Sequence, residues 1–288
     1  MTVETGAFPP RLFLIGAQKA GTTSLAYLLD QHPDIAVSSP KEPGFFSQHY
    51  EKGLDWYRRC FPETLPRLLV DASTGYTMAP LGDAGSGGGD PGLVPGRIRM
   101  HSPDARFIYV LRDPVDRTVS AYQHDRRAGR LANSTLREAV LSTPFYTDVS
   151  RYHRQIEPYA AAFPMERFLF IGFDELTRNP DEVARRCIEF AGLDAGRLSF
   201  RLEEPKNAAF QFNGLGRQFF NLFPDERAAS RFVGTVKGLL PPVMHRLIKS
   251  AMTKPPDQVS EADRRWLAGQ FSGDNRAMEA LTGLRFYR

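Results

Sequence analysis

The chain has 288 residues, 42% of them hydrophobic, and a formal net charge of +4, so it can bury one sizeable core. Its apolar runs are far shorter than the roughly 20 residues that cross a bilayer, and no long run of Lys and Arg indicates nucleic-acid binding. The first ten residues lack the basic cluster and apolar run of a signal peptide, and we therefore expect a cytoplasmic protein without membrane insertion.

Three strand–helix units are predicted in chain order. The apolar run Arg11–Gly16 precedes apolar residues at helical spacing over Thr22–Asp30,. The second unit begins with the strand Arg106–Leu111, which a short turn joins to a helix. The third joins the strand Arg167–Phe173 to a helix over Val183–Ala191. This alternation predicts a three-layer α/β fold with a central parallel sheet of about five strands flanked by helices.

The remaining segments carry weaker signals. A glycine-rich stretch predicts a flexible loop at about residues 82–97, either an exposed insertion or the border of an active cleft,. The tail Ser260–Leu284 reads as two helices. Cys60 and Cys187 have neither metal-ligand nor redox spacing, and we expect reduced packing residues. No domain boundary stands out, so we expect a single domain over residues 1–288.

A phosphate-binding loop is predicted where the first strand passes into the first helix. Residues 16–23 read GAQKAGTT, and the backbone N–H groups of such a P-loop-like turn converge on an anion. In nucleotide-binding P-loops, the lysine follows the second glycine and a hydroxyl binds magnesium. Here Thr22 follows Gly21, and Lys19 comes two residues before that glycine. Lys19 can therefore meet the bridging oxygen of a transferring group without a metal; a chance glycine-rich turn is the alternative.

Two motifs resemble the donor site of sulfotransferases that use 3'-phosphoadenosine-5'-phosphosulfate (PAPS). KAGTT at residues 19–23 resembles the 5'-phosphosulfate loop, and RDPVDRTVSAY at residues 112–122 resembles the R-D-P-x-x-R-x-x-S-x-Y pattern. The resemblance implies that Arg112 and Ser120 hold the 3'-phosphate, a role that suits the planar fork of arginine. The implied donor-loop residues are Lys19, Ala20, Gly21, Thr22, Thr23 and Ser24.

Further motifs resemble the heparan sulfate sulfotransferases and their bacterial relatives. These are KEPGFF at 41–46, GLDWY at 53–57 and FDEL at 173–176. The resemblance implies that Glu42, before the paired aromatic residues, is the catalytic base, and a carboxylate can take a proton from an acceptor hydroxyl. A solvated charge pair with Lys41 is the alternative interpretation. Gly216 and Arg217 correspond to the subgroup's loop over the 3'-phosphate, although Leu215 stands where that loop has a lysine.

One departure from the subgroup concerns a lysine that helps to bind sulfate. The subgroup carries it in a V-[DE]-K-[ST]-P-x-Y segment, and this chain has Ala72 at that position. Either Lys19 alone neutralises the developing charge, or a side chain from elsewhere, such as Lys41, takes its place.

The resemblance implies transfer of a sulfuryl group from PAPS to a hydroxyl, or secondarily an amine, of a small-molecule, glycan or lipid acceptor. The product would be adenosine 3',5'-bisphosphate, with no metal and no nucleic-acid partner. Two alternatives remain open: a magnesium-dependent P-loop kinase or NTPase, and a nonenzymatic PAPS-binding protein. Metal dependence and turnover distinguish the three. Among the histidines, His32 is interpreted as a structural hydrogen-bonding residue, while His49, His124 and His153 lack metal-binding spacing.

Overall fold

A computed structural model describes residues 8–81, 90–131, 134–198, 211–212, 253–254 and 258–286. A parallel five-stranded sheet lies at its centre, in the order β2-β3-β1-β4-β5. The strands are β1 (Leu12–Gly16), β2 (Ile35–Val37), β3 (Leu68–Asp71), β4 (Arg106–Leu111) and β5 (Phe168–Gly172). The predicted α/β class and strand number are confirmed. A separate antiparallel pair joins β6 (Gln211–Phe212) to β7 (Thr253–Lys254).

Helices flank the sheet. The described helices are α1 (Thr22–Leu29), α2 (Gly53–Arg58), α3 (Leu93–His101), α4 (Pro114–Arg127), α5 (Leu136–Ser142), α6 (Phe145–Asp148), α7 (Tyr152–Ala162), α8 (Phe173–Arg178), α9 (Pro180–Phe190) and α10 (Glu261–Thr282). Short 3-10 turns occur at Tyr50–Lys52, Thr74–Thr77, Met165–Arg167 and Ala195–Arg197. Within the described ranges, no helix combines the length and apolar character needed to cross a membrane.

Local sequence explains the three predicted strand–helix units, although in the third an unpredicted helix, α8, lies between β5 and α9. Every residue of β1 is buried, because helices cover both faces of the sheet,. Helix α4 begins where the Asp113 carboxylate accepts a hydrogen bond from the backbone N–H of Asp116 at 3.0 Å, with Pro114 in the first helical position,. Pro180 likewise occupies the first helical position of α9. These starts fix where α4 and α9 leave the sheet.

The glycine-rich prediction is wrong at its C-terminal end. Residues 93–97 belong to α3, whereas residues 82–89 lie outside the described residues. Pro95 is tolerated because first-turn N–H groups have no intrahelical partner. Burial of Pro95 and Ile98, with hydrogen bonds from Arg97 to the carbonyls of Phe46 and Ser47, anchors this helix against the protein.

The C-terminal prediction of two helices is also wrong, because α10 is continuous. An interior glycine such as Gly273 costs a helix about 1 kcal/mol, and packing outweighs that cost. Leu267, Phe271 and Met278 lie on one face and are fully buried. Asp274 lies on the same face, and its carboxylate accepts the backbone N–H groups of His153 and Arg154 at the start of α7, each at 3.1 Å.

Helix α10 also holds α4 and α5 in place. Leu267 and Phe271 join Val115 and Val119 of α4 in one hydrophobic cluster. Ion pairs flank this cluster, from Arg264 to Asp116 and from Arg137 to Asp263, each at 2.5 Å. The position of α4 against the sheet therefore depends on α10.

Candidate active site

The donor loop, residues 16–23, connects β1 to α1. Lys19 has a φ of 70° and Gly21 a φ of 80°, both in the left-handed region that non-glycine residues seldom adopt. Gly21 also lacks room for a side chain, since an added Cβ would lie 3.1 Å from Leu176 and 3.2 Å from Phe173. The loop thus turns sharply around the N-terminus of α1, where unpaired backbone N–H groups favour an anion.

The start of the loop is equally restricted. A Cβ on Gly16 would lie 2.4 Å from the hydroxyl of Thr77, which donates to the carbonyl of Ile15 at 2.6 Å. Ala20 and Thr22 are buried, whereas Thr23 and Ser24 are exposed at the first turn of α1. The loop is therefore anchored at both ends, with its polar first turn open to a ligand.

Arg112 joins the end of β4 to the donor loop. Its Nη1 donates to the carbonyl of Lys19 at 3.1 Å, and its guanidinium lies over the ring of Phe173 at 4.6 Å. Its Nε is buried and has no hydrogen-bond partner among the described residues. A buried N–H without a partner is costly, so this atom fits an anionic ligand that would accept from it.

Positive charge accumulates beside the loop. Burial, followed by the charges of Arg127 and Arg112, lowers the pKa of Lys19. Ser120, half-buried, and Arg127 lie two helical turns apart on α4, so they share a face. Arg127 was missed in the sequence, although its spacing from Ser120 is the signal that indicates it. The cluster of Lys19, Arg112 and Arg127 suits a polyanionic donor.

Glu42 lies in the loop after β2, with 45% of its side chain exposed. Its Oε2 accepts from the hydroxyl of Thr74 at 2.8 Å, and its Oε1 accepts from Nζ of Lys41 at 3.0 Å. The predicted charge pair therefore exists, but Lys41 has other partners as well. Its Nζ donates to the carbonyl of Ala72 at 3.2 Å and lies 3.5 Å from the hydroxyl of Thr22. Lys41 thus connects Glu42 to the first residue of α1.

A buried carboxylate lies under this loop. Asp71, at the end of β3, is fully buried. It accepts four hydrogen bonds, from the hydroxyls of Tyr57 at 2.6 Å, Tyr76 at 2.7 Å and Ser73 at 2.6 Å, and from the backbone N–H of Ser73 at 3.0 Å. Burial raises the pKa of Asp71, whereas these hydrogen bonds act to lower it. Such a satisfied network rigidifies its surroundings.

The Asp71 network extends to the Glu42 loop. The hydroxyl of Ser73 accepts from the backbone N–H of Gly44 at 3.0 Å, and that of Tyr76 accepts from the backbone N–H of Phe46 at 3.2 Å. In the sequence, this segment was interpreted only as the position of a missing lysine. An acidic residue ending an apolar strand, followed by Ser and Tyr, is the signal that was overlooked.

The histidines differ in their surroundings. His32 is buried, with its Nδ1 accepting from the backbone N–H of Asp34 at 3.1 Å and its Nε2 lying 3.0 Å from the carbonyl of Asp194. This is the structural role predicted for it. Nδ1 of His49 lies 2.8 Å from the carbonyl of Pro43. Loss of solvent around the ring, followed by the charge of Lys19, lowers the pKa of His124.

Among the residues that the structure describes, no group of three or more His, Cys, Asp or Glu side chains is placed to hold a metal ion. Cys60 and Cys187 are buried free thiols. Gly216 and Arg217 lie outside the described residues.

Comparison with known proteins gives one family. The profile of the sulfotransferase domain matches residues 9–211. Heparan sulfate glucosamine 3-O-sulfotransferase 3B1 of Mus musculus is 31% identical over 193 residues, 64% of this chain and 46% of the relative. The bifunctional heparan sulfate N-deacetylase/N-sulfotransferase 1 of the same organism is 29% identical over 206 residues, 64% of this chain and 22% of the relative. The chain spans about half or less of the curated relatives it matches.

A solved structure shows the same fold. The crystal structure of a sulfotransferase from Alicyclobacillus acidocaldarius superposes with a TM-score of 0.64 at 24% identity. The match covers 96% of this chain and 97% of that one.

Proposed function

Because the chain belongs to the sulfotransferase domain family, we propose that it transfers a sulfuryl group from PAPS to an acceptor hydroxyl by in-line displacement. The family resemblance seen in KAGTT and the R-D-P motif is confirmed, and it favours this reaction over the magnesium-dependent kinase alternative. One observation carries the mechanism: Lys41 contacts both Thr22 at the start of α1 and the carboxylate of Glu42. The donor loop and the proposed base therefore border one site.

The donor residues fit the charge of PAPS. The side chain of Lys19 and the first N–H groups of α1, at Thr22 and Thr23, would hold the 5'-phosphate. Arg112, whose buried Nε has no hydrogen-bond partner among the described residues, and Ser120 on α4 would hold the 3'-phosphate. Gly216 and Arg217, which lie outside the described residues, are proposed as additional contacts. When the S–O bond to the 5'-phosphate breaks, its electron pair leaves on that phosphate. Lys19 would stabilise this growing charge, which is how preorganised cations accelerate group transfer.

The acceptor side depends on Glu42. As the acceptor oxygen forms its bond to sulfur, its proton passes to the Glu42 carboxylate. That carboxylate is accessible, and the Thr74 hydroxyl at 2.8 Å fixes its orientation. A positioned general base contributes about 100- to 10,000-fold to rate. We propose a hydroxyl of a glycan, lipid or small molecule as the acceptor, since the curated relatives include enzymes named for heparan sulfate glucosamine 3-O-sulfation.

The test is sulfuryl transfer from radiolabelled PAPS to a panel of glycan, lipid and phenolic acceptors, with and without EDTA. We expect labelled product with at least one acceptor and an unchanged rate after chelation. A rate that is lost with EDTA and restored by magnesium would favour the kinase-like alternative. Tight PAPS binding without transfer to any acceptor would favour a nonenzymatic binding protein.

A further inference from the structure

The Lys41 ammonium is placed between the donor loop and the proposed base. Its Nζ lies 3.0 Å from Oε1 of Glu42, 3.2 Å from the carbonyl of Ala72 and 3.5 Å from the hydroxyl of Thr22. Only 24% of its side chain is exposed. A surface charge pair between adjacent residues requires neither this burial nor a contact with another strand end, so the position is specific.

The hydrogen-bond geometry leaves one donor of Lys41 weakly used. An ammonium has three donors and no acceptor. The bonds to Glu42 and to the Ala72 carbonyl have ordinary lengths, whereas 3.5 Å to the Thr22 hydroxyl is at the limit of a hydrogen bond,. The third N–H therefore points toward the N-terminus of α1, where a ligand oxygen can replace the weak contact. Thr22 itself is buried, so the ligand would approach from the open side.

We propose that Lys41 is a catalytic residue that contacts the non-bridging oxygens of the sulfuryl group. This inference rests on the proposed function, which brings the sulfur between the 5'-phosphate at α1 and the acceptor at Glu42. Lys41 donates hydrogen bonds to the non-bridging oxygens of the sulfuryl group as sulfur moves from the 5'-phosphate to the acceptor. Lys19 then stabilises the leaving 5'-phosphate, and Lys41 contacts the sulfuryl group as it is transferred. The subgroup that this chain resembles has a lysine at the position of Ala72. Here the Lys41 ammonium, 3.2 Å from the Ala72 carbonyl, takes the place of that cation.

The test compares Lys41→Met with Lys52→Met. Lys52 is an exposed lysine that lies over the ring of Trp56, so its replacement removes the same charge but none of the hydrogen bonds to Glu42, Ala72 and Thr22. Binding of PAPS and of adenosine 3',5'-bisphosphate is measured by calorimetry without acceptor. We expect Lys41→Met to weaken PAPS binding about 10-fold or more and to leave bisphosphate binding within about two-fold, because the bisphosphate has no sulfuryl group. Turnover should fall by about 100- to 1,000-fold, the usual cost of losing one such donor. Lys52→Met should resemble wild type in all three.

The other possible results contradict either the role of Lys41 or the proposed function. If Lys41→Met lowers turnover but changes PAPS and bisphosphate affinity equally or not at all, Lys41 only orients Glu42 and the sulfuryl contact is wrong. Wild-type turnover in this variant also overturns the proposal. If wild-type protein fails to bind PAPS, the proposed function itself fails, which is a different result. Circular dichroism of both variants checks that they are folded.

Discussion

Glu42 is the residue on which the proposed chemistry depends most directly. Replacing it with Gln keeps its size and its contact with Thr74 but removes the ability to accept a proton. We expect turnover to fall by about 100- to 10,000-fold. Bisphosphate affinity should stay within a few-fold, and the melting temperature should be unchanged, because the side chain is 45% exposed,. Steady-state kinetics, calorimetry and thermal unfolding measure the three.

A Glu42→Gln variant that turns over at the wild-type rate would place the base elsewhere. His49 is then the weaker alternative, since its Nδ1 is directed at the Pro43 carbonyl. His124 would be tested next. Its ring is close enough to Lys19 for that charge to lower its pKa.

Lys19 provides a pH-dependent signature of donor binding. Burial and the charges of Arg127 and Arg112 lower its pKa in the free protein, whereas a bound bisphosphate would favour the ammonium and raise that pKa. Binding at alkaline pH should therefore take up a proton, and affinity should fall as the pH rises through the lowered pKa. Calorimetry in two buffers with different ionisation enthalpies measures the uptake. Lys19→Met should abolish it, and equal heats for wild type in both buffers would contradict the prediction.

At the scale of elements, the end of β3 supports the Glu42 loop. Tyr76→Phe removes the hydroxyl that donates to Asp71 and accepts from the Phe46 backbone. We expect a loss of about 1–3 kcal/mol in the free energy of unfolding, because two buried polar groups lose a partner. Turnover should fall as well, since the loop that carries Glu42 loses an attachment. Denaturant unfolding and steady-state kinetics test this pair of effects.

Tyr57→Phe is the matched control for that network. The Tyr57 hydroxyl donates to Asp71, and the backbone of the Glu42 loop bonds to Ser73 and Tyr76 instead. This variant should lose stability while keeping turnover close to wild type. Equal loss of turnover in both variants would show that Tyr76 has no particular role in holding the loop.

The elements differ in how far the sequence predicts them. β1, β4 and their following helices are predictable because strand, turn and helix signals lie next to one another in the chain. Strand β2 has three residues and β3 four, too few for a periodicity to stand out. The fold of α3 and the continuity of α10 depend on burial against distant residues, which outweighs the local glycine signal.

The same limit applies to the candidate site. The donor loop and Arg112 are indicated by short motifs, each complete within a few residues. The contacts of Lys41 with Ala72 and of Tyr57 with Asp71 join residues that are distant in sequence. No local pattern contains them. Arg127 lies outside the R-D-P motif, and only its seven-residue spacing from Ser120 on the helix α4 indicates it.

For the whole molecule, the strand order explains why the site forms. β1 is central, with β3 on one side and β4 on the other. Since all three are parallel, their carboxyl ends meet at one edge of the sheet, the usual place for a ligand in open α/β folds. Gly16, Asp71 and Arg112 lie at or directly after these ends. The donor loop, the support of the Glu42 loop and the predicted 3'-phosphate contact are thereby gathered together.

This arrangement predicts selectivity for two phosphates. Adenosine 3',5'-bisphosphate should bind far more tightly than AMP, because charge-assisted contacts such as those of Arg112 are worth about 1.5–3 kcal/mol each. Arg112→Met should weaken bisphosphate binding by about 10- to 150-fold and weaken AMP binding less, through the lost bond to the Lys19 carbonyl alone. Titration calorimetry of both ligands measures this. Equal affinity of wild-type protein for the two nucleotides would remove the role assigned to Arg112 and Ser120.

The dependence of α4 on α10 has a consequence during synthesis. The Arg264–Asp116 pair closes over a separation of 148 residues, which a ribosome translates in roughly 7 to 30 s. During that interval α4 has been made, but Leu267 and Phe271, which pack on Val115 and Val119, have not. The nascent chain therefore carries an uncovered apolar helix face, the kind of surface that chaperones bind. We expect the helix that bears Ser120 to settle against the sheet only after α10 has emerged from the ribosome, and the proposed donor binding to be acquired only after that point.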